Sequence, residues 1–246
     1  MTDLRSVTAS SNSKQNGGTF FESAASFYPF GGEIIMPADY LTIEKEACPE
    51  FIERRSRFIG YIKPVTDEQQ ALEFINSIRA KHWDATHNVY AYVLREQNTC
   101  RYSDDNEPQG TAGMPVLDVI RKSGLTDVCV VVTRYFGGIL LGGGGLVRAY
   151  SHSASLAVKA AGIIQMRSCA LCTLECTYNQ YGKLSSLVPE NGGTVDNADF
   201  SDKVLLSFHI PANELPKLQK IITDTTCGTV EVIKDKEEYF SFKYQK

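Results

Sequence analysis

The sequence predicts an α+β protein in which strands and helices alternate in mixed order. Three observations predict it. Short β-branched or alternating apolar runs, such as Val130, Val131, Val132 and Thr133, read as strands. Segments with apolar residues at helical spacing, such as Ala71, Leu72, Ile75 and Ile78, read as helices. The last third has the order β-α-β-β-α-β, the ferredoxin-like split βαβ. A length of 246 residues accommodates one large domain or two small ones. The expected division is an extension over residues 1–35, a first unit over 36–167 and a second over 168–246.

Residues 1–35 are rich in Ser, Asn, Gly and Thr without sustained periodicity, which predicts a flexible extension. Met36 directly precedes PADYLTI, where regular structure is expected to begin. Either translation starts there or the extension is real. Residues 40–47 alternate like a strand, and 51–65 read as one longer strand. Asp67 is placed to cap a helix over 68–81. Residues 89–95 alternate as a strand, and 102–113 form a polar loop. A short helix is expected over 114–123, with Pro115 in its first turn, Thr111 as a candidate cap and Gly124 as its stop. A strand at 130–133 leads into a glycine-rich loop, and a helix follows over 146–161.

In the second unit, residues 169–177 read as a strand and 180–188 as a helix that turns Tyr181, Leu184 and Leu187 inward. Residues 192–198 and 204–210 form a hairpin. A helix over 214–225 is entered through Asn213. Residues 228–234 and 238–244 close the sheet, with one bent strand as an option.

Composition excludes some classes. No stretch approaches about 18 consecutive apolar residues, so no membrane span is expected. No basic cap followed by an apolar run marks a secretory signal. Seven cysteines, an odd number set in apolar segments, suit reduced thiols in a cytoplasmic protein. The spacing of Cys169, Cys172 and Cys176 permits zinc, but without a second CxxC or paired His, buried thiols are the better reading. The net charge of −4 argues against a broadly basic nucleic-acid protein. The charge is uneven: −2 over residues 1–40, +1 over 41–168 and −3 over 169–246. A polyanion surface must therefore be a local patch of the middle segment.

The segment VVVTRYFGGILLGGGGLVRAY, residues 130–150, carries the most information. Strand, glycine-rich loop and helix can aim backbone N–H groups at an anion. It lacks the Lys-Ser/Thr ending of a P-loop and the dinucleotide glycine spacing. Together with SRFIG (56–60), HNVYAY (87–92) and SDDNEPQGTAGMP (103–115), it resembles the YigZ/IMPACT family over residues 40–162. The resemblance implies a first domain similar to the second domain of a small-subunit ribosomal protein, shared with the GHMP kinases. It implies a second domain similar to domain V of elongation factor G. It also implies a role in regulating translation. Asn106 stands where members usually have Gly, so the acidic turn calls for a left-handed Asn. Leu140 stands where some members have Lys, which removes a cation beside the glycine loop.

Each candidate residue has a functional and a structural reading. Arg134 either clamps a phosphate bidentately or pairs with Asp104, Asp105 or Glu107 and pins two loops together. Arg148 is either a polyanion contact or a solvated helix charge, and Arg101 is a further basic candidate. Gly137, Gly138, Gly144 and Gly145 either bind an anion or permit tight turns and close packing. Asp104, Asp105 and Glu107 are weak candidates to bind Mg²⁺ or to serve as acid and base, though acidic residues in sequence more often cap and solvate a turn. His87 is a general base or an RNA contact, or else a hydrogen-bonded structural residue, which is the default. His82 and Trp83 offer a cation and a stacking face, or packing at a helix end. Tyr135 and Phe136 either stack on bases or pack against the loop.

No nucleophile elbow or Cys–His signature is present. The favoured reading is therefore a regulator of translation that binds RNA, the ribosome or a ribosome-associated factor without catalysis and without a cofactor. One alternative is an enzyme or binding protein for a phosphorylated small molecule, with Mg²⁺ on the acidic turn. Another is a protein–protein adaptor with a purely architectural loop.

Overall fold

The structure is a computed structural model that describes residues 39–95 and 98–244. The extension expected over residues 1–35, and Met36, lie outside the described residues. In chain order the elements are β1 (Tyr40–Ile43), β2 (Glu50–Glu53), β3 (Ser56–Pro64), α1 (Glu68–Lys81), β4 (His87–Val93), β5 (Cys100–Ser103), α2 (Gly113–Lys122) and β6 (Val128–Tyr135). There follow α3 (Gly143–Ala161), β7 (Ile163–Cys176), α4 (Tyr178–Glu190), β8 (Thr194–Phe200), β9 (Val204–Pro211), α5 (Leu215–Thr226) and β10 (Val232–Lys243). The architecture is α+β, with two antiparallel sheets and five helices among the described residues.

Alternation explains the first sheet, whose strands lie in the order β2-β3-β6-β4-β5. Successive side chains leave opposite faces of a strand. Ile59, Tyr61, Cys129 and Val131 pack against Ala71, Ile75 and Ile78 of α1. Phe58, Ile62, Val130 and Val132 face the other way, against Val116 and Ile120 of α2 and Tyr150 and Ala154 of α3. Covered on both faces, β6 reads as a continuous apolar run instead of an alternating one. A Cβ on Gly60 would lie 2.8 Å from the Ser153 carbonyl oxygen, so a glycine lets α3 sit directly on β3. Asp67 caps α1 as expected, accepting from the Gln70 N–H at 2.8 Å.

In the second sheet, β7 holds β1 and β9 along one edge and β10 along the other. β8 pairs with β9. Leu184, Val188, Leu218 and Ile222, from α4 and α5, cover Cys172, Leu174, Leu206 and Phe208 on one face. The bent closing strand is a single β10 with a register shift between Lys234 and Lys236.

Several elements differ from expectation. The strand expected over 51–65 is a hairpin that turns at Arg54 and Arg55, both left-handed with φ of 43° and 67°. No Gly, Asn or Asp marks that turn, which hides it from turn chemistry. Strand β7 begins at Ile163, ahead of the expected Cys169, because the half-polar stretch IIQMRS is paired on both edges by β1 and β10. Helix α3 begins three residues earlier than expected, at Gly143. Helix α5 starts after Glu214 and receives no side-chain cap, so Asn213 does not cap it; a proline in its first turn sets the start.

Candidate functional site

Strand register gathers the four motif blocks at one end of the first sheet. Antiparallel pairing sets Arg134 opposite both His87 and Phe58. The end of β6 therefore lies beside the starts of β3 and β4. The Arg54–Arg55 turn, the loops 82–86, 104–112 and 136–142, and the first turn of α3 all open at this end. A Cβ on Gly137 would lie 2.1 Å from the Arg55 carbonyl, so the glycine loop rests directly on the hairpin turn.

The inner layer of this end is a buried polar network. Arg134 is 5% exposed and Glu107 8%. The Arg134 Nη1 donates to Glu107 Oε1 at 2.6 Å, and the same oxygen accepts from the Tyr150 hydroxyl at 2.7 Å. Burial and the neighbouring Glu107 carboxylate push the Tyr150 phenol far above its ordinary range. The guanidinium lies over the Phe58 and Phe136 rings, each ring centre 5.5 Å away. Buried Ser56 ties the strand start to the loop, its Oγ accepting from the Gly137 N–H at 3.2 Å. His87 Nδ1 donates to the Asp105 carbonyl at 2.7 Å, and its Nε2 lies 3.7 Å from Glu107. Tyr150 closes the sequence block that Arg134 belongs to, yet sequence reasoning did not single it out. Its helical position predicts only burial.

The acidic turn is folded inward. Asp104 Oδ1 accepts from the Ala112 and Gly113 N–H groups at 3.1 and 2.8 Å, so it satisfies the start of α2. Thr111, the expected cap, instead donates to the Pro108 carbonyl. Asp105 accepts from the Asn88 N–H at 2.6 Å and faces Arg79 at 3.5 Å. Asp105 and Asn106 are both left-handed, with φ of 44° and 67°, a conformation their short polar side chains tolerate. The three carboxylates are thus engaged separately. Among the described residues, no group of three or more His, Cys, Asp or Glu comes together as a metal site. Cys169 and Cys172, three apart on β7, project to opposite faces, and burial pushes both thiols up to about 11.

The outer layer is exposed. Gly138 and Gly142 are left-handed at φ of 81° and 71°, so the loop backbone requires them. Among the described residues no side chain caps α3, and the Arg148 guanidinium lies 3.7 Å from where a Cβ on Gly144 would stand. A Cβ on Gly145 would meet Leu141 at 3.1 Å, so this glycine serves packing. Leu140 and Phe136 face solvent. On the α1 side, Tyr61, His82, Tyr135 and Asp84 form a hydrogen-bonded chain with separations of 2.6, 2.8 and 3.0 Å. Burial, followed by Lys81, lowers the His82 pKa, which keeps the imidazole neutral. Trp83 follows it at 83% exposure. Arg101 sits apart on edge strand β5, opposite Tyr92. Two surface cavities, of about 350 and 410 Å³, lie elsewhere, one lined by Val119, Val158 and Ile163 and the other by Leu94, Arg95 and Cys100. Among the described residues, no helix is long and apolar enough to cross a membrane.

Residues 54–158 match the model of the Impact N-terminal domain, and residues 174–229 match a domain of unknown function (DUF1949). The IMPACT family member YvyE of Bacillus subtilis is 36% identical over 194 residues, covering 78% of this chain and 89% of that protein. YigZ of Escherichia coli is 32% identical over 202 residues, covering 81% and 96%. The crystal structure of a hypothetical protein is 31% identical with a TM-score of 0.52, covering 82% of this chain and all of that one. The likeness runs through both sheets, and the residues that first suggested it are those that build one end of the first sheet. On that footing, this chain belongs to the IMPACT family.

Proposed function

We propose that this protein is a cytoplasmic, non-catalytic regulator of translation. It binds the ribosome, its RNA or an associated factor through the loop-bearing end of the first sheet. The observation that carries the reading is how charge is divided there. The carboxylates of Asp104, Asp105 and Glu107 are engaged within the fold, while Arg54, Arg55 and Arg148 face solvent beside exposed Trp83 and Phe136. Such an end suits a large anionic partner better than catalysis on a small molecule, which needs an enclosing pocket.

The order of elements in each unit supports the finer fold reading. Residues 36–167 then resemble the second domain of a small-subunit ribosomal protein and the GHMP kinases. Residues 168–246 resemble a ferredoxin-like domain such as domain V of elongation factor G. The uncapped start of α3 beside Arg148 favours a second reading, a binding protein or enzyme for a phosphorylated small molecule. The Mg²⁺ of that reading does not fit the acidic turn, whose carboxylates are already hydrogen-bonded.

Co-sedimentation with ribosomes tests the first reading. The protein should pellet with ribosomes at about 50 mM salt and be released steeply toward about 200 mM. Arg54→Glu combined with Arg55→Glu should shift release to lower salt. Failure to pellet at low salt overturns the reading. A shift in melting temperature with a phosphorylated metabolite, abolished in Gly144→Val, would favour the second.

A further inference from the structure

We propose that Trp83 is a stacking platform for single-stranded RNA and that the Arg54–Arg55 turn holds the phosphates of the same strand. The inference deepens the reading above and rests on it.

Trp83 is the only tryptophan in the chain. It is also the most exposed large apolar side chain among the described residues. A tryptophan just past a helix end ordinarily packs, and this one does not. Its loop is nevertheless fixed. The His82 and Ala85 N–H groups donate to the carbonyls of Ile78 and His82, and the Thr86 N–H donates to the Arg134 carbonyl at 3.0 Å. The polar chain has one consistent direction. Tyr61 donates to His82 Nε2, His82 Nδ1 donates to the Tyr135 oxygen, and Tyr135 donates to Asp84. The indole is thus held out on a rigid support, which lowers the ordering cost of binding.

The surroundings select the partner. Trp83 is flanked in sequence by Lys81, His82 and Asp84. Lys81 lies over the Tyr61 ring at 5.0 Å and Arg57 over the Tyr135 ring at 5.9 Å, so cations line the same edge. Two consecutive left-handed arginines form a turn that Asn-Gly would make with less strain. Strain of this kind is retained where it places a side chain that function needs. Glu53 and Glu50 lie beside Arg54 and Arg57, and among the described residues Arg55 of the same turn has no ion-pair partner. Aromatic faces with cations on a rigid edge are how unpaired bases are held without sequence readout.

Because the chain has one tryptophan, its emission reports on this position alone. The full-length protein would be titrated at low salt with oligouridylate and oligoadenylate of about 12 nucleotides. Parallel titrations would use the matching oligodeoxynucleotides, an RNA duplex and inorganic polyphosphate. Single-stranded RNA should quench the emission, whereas polyphosphate and duplex should bind more weakly or bind without quenching. With an end-labelled strand followed by anisotropy, Trp83→Ala should weaken binding by about 5- to 150-fold, and Trp83→Phe should restore most of it. Arg55→Glu should reduce the salt dependence while leaving quenching at saturation unchanged.

RNA that binds without quenching, or equal quenching by polyphosphate, overturns the stacking claim. Equal quenching by DNA overturns the assignment to RNA. If single strands do not bind but ribosomes still pellet the protein through a protein component, this inference falls and the reading of function stands. If neither occurs, both fall.

Discussion

Arg134 and Arg55 stand at the same end of the same sheet and have opposite fates. Arg134 is buried, with Glu107, Tyr150, Ser56 and His87 around it. Arg55 is exposed at the tip of a strained turn, and Arg148 is exposed at the start of α3. The difference lies in geometry and not in residue type. Arg134 points to the face covered by α3, where desolvation makes an internal partner obligatory. Arg55 lies in a turn that is exposed among the described residues. Arginine in a motif block is therefore of two kinds. The inner one holds the loops in register, and the outer ones remain available to a partner.

The largest test of that division is at Arg134. Replacing it with Met leaves Glu107 buried without its cation and should cost about 3–5 kcal/mol in urea unfolding. Adding Glu107→Gln to the same chain should recover part of the loss, since the uncompensated charge is then gone. If Arg134→Met instead keeps its stability and loses ribosome or RNA binding, Arg134 belongs with the outer set and the comparison breaks.

Glycine substitutions sharpen the same contrast at smaller scale. Gly137→Ala forces its Cβ against the Arg55 backbone and should destabilise by about 1–3 kcal/mol while displacing the hairpin tip. Gly144→Ala has only the Arg148 side chain within reach, at 3.7 Å, and no left-handed backbone. It should be neutral or stabilising by up to about 1 kcal/mol. Urea midpoints on the two variants measure the difference. Equal effects would mean that the loop is not seated on the turn.

The sequence carried the inner framework better than the outer edge. Asp67, the apolar periods of α1 and β6, and the β-α-β-β-α-β order from β7 to β10 are local signals, and local propensity agrees with the final structure there. The Arg54–Arg55 turn was illegible because its residues are the wrong ones for a two-residue turn, and the surrounding contacts override propensity. The start of α3 was displaced because three glycines in its first turn read as loop. Arg134 had two readings in sequence. Only the register that sets it beside His87 and beneath Glu107 distinguishes a buried pin from a free clamp. Exposure of Trp83 is likewise a tertiary fact, since its sequence position fits packing equally well.

The pH response tests whether the support beneath Trp83 is as tight as the network around Arg134. The folded chain holds His82 neutral, with its pKa below the ordinary 6.5, through burial and the nearby Lys81 and Arg57 against the opposing Asp84. The unfolded chain takes up the proton first as pH falls. The stabilisation from neutral His82 is therefore complete above about 6.5 and is lost as pH drops toward the depressed folded value. Urea midpoints should decline as pH falls below about 6.5, and the decline should flatten in His82→Gln. A slope unchanged by that substitution would show that His82 is not held as described.

The smallest effect on stability is expected at Trp83. Truncation to Ala should change the free energy of urea unfolding by no more than about 0.5 kcal/mol, because the indole is 83% exposed and only its support is packed. The same variant is expected to lose most of its affinity for unpaired RNA. A residue that costs almost nothing to remove from the fold and much to remove from the complex is held outward for the complex. If Trp83→Ala destabilises by more than about 1 kcal/mol, the ring is packing in solution. It would then join Arg134 in the inner layer, and the outer edge would be left to its arginines.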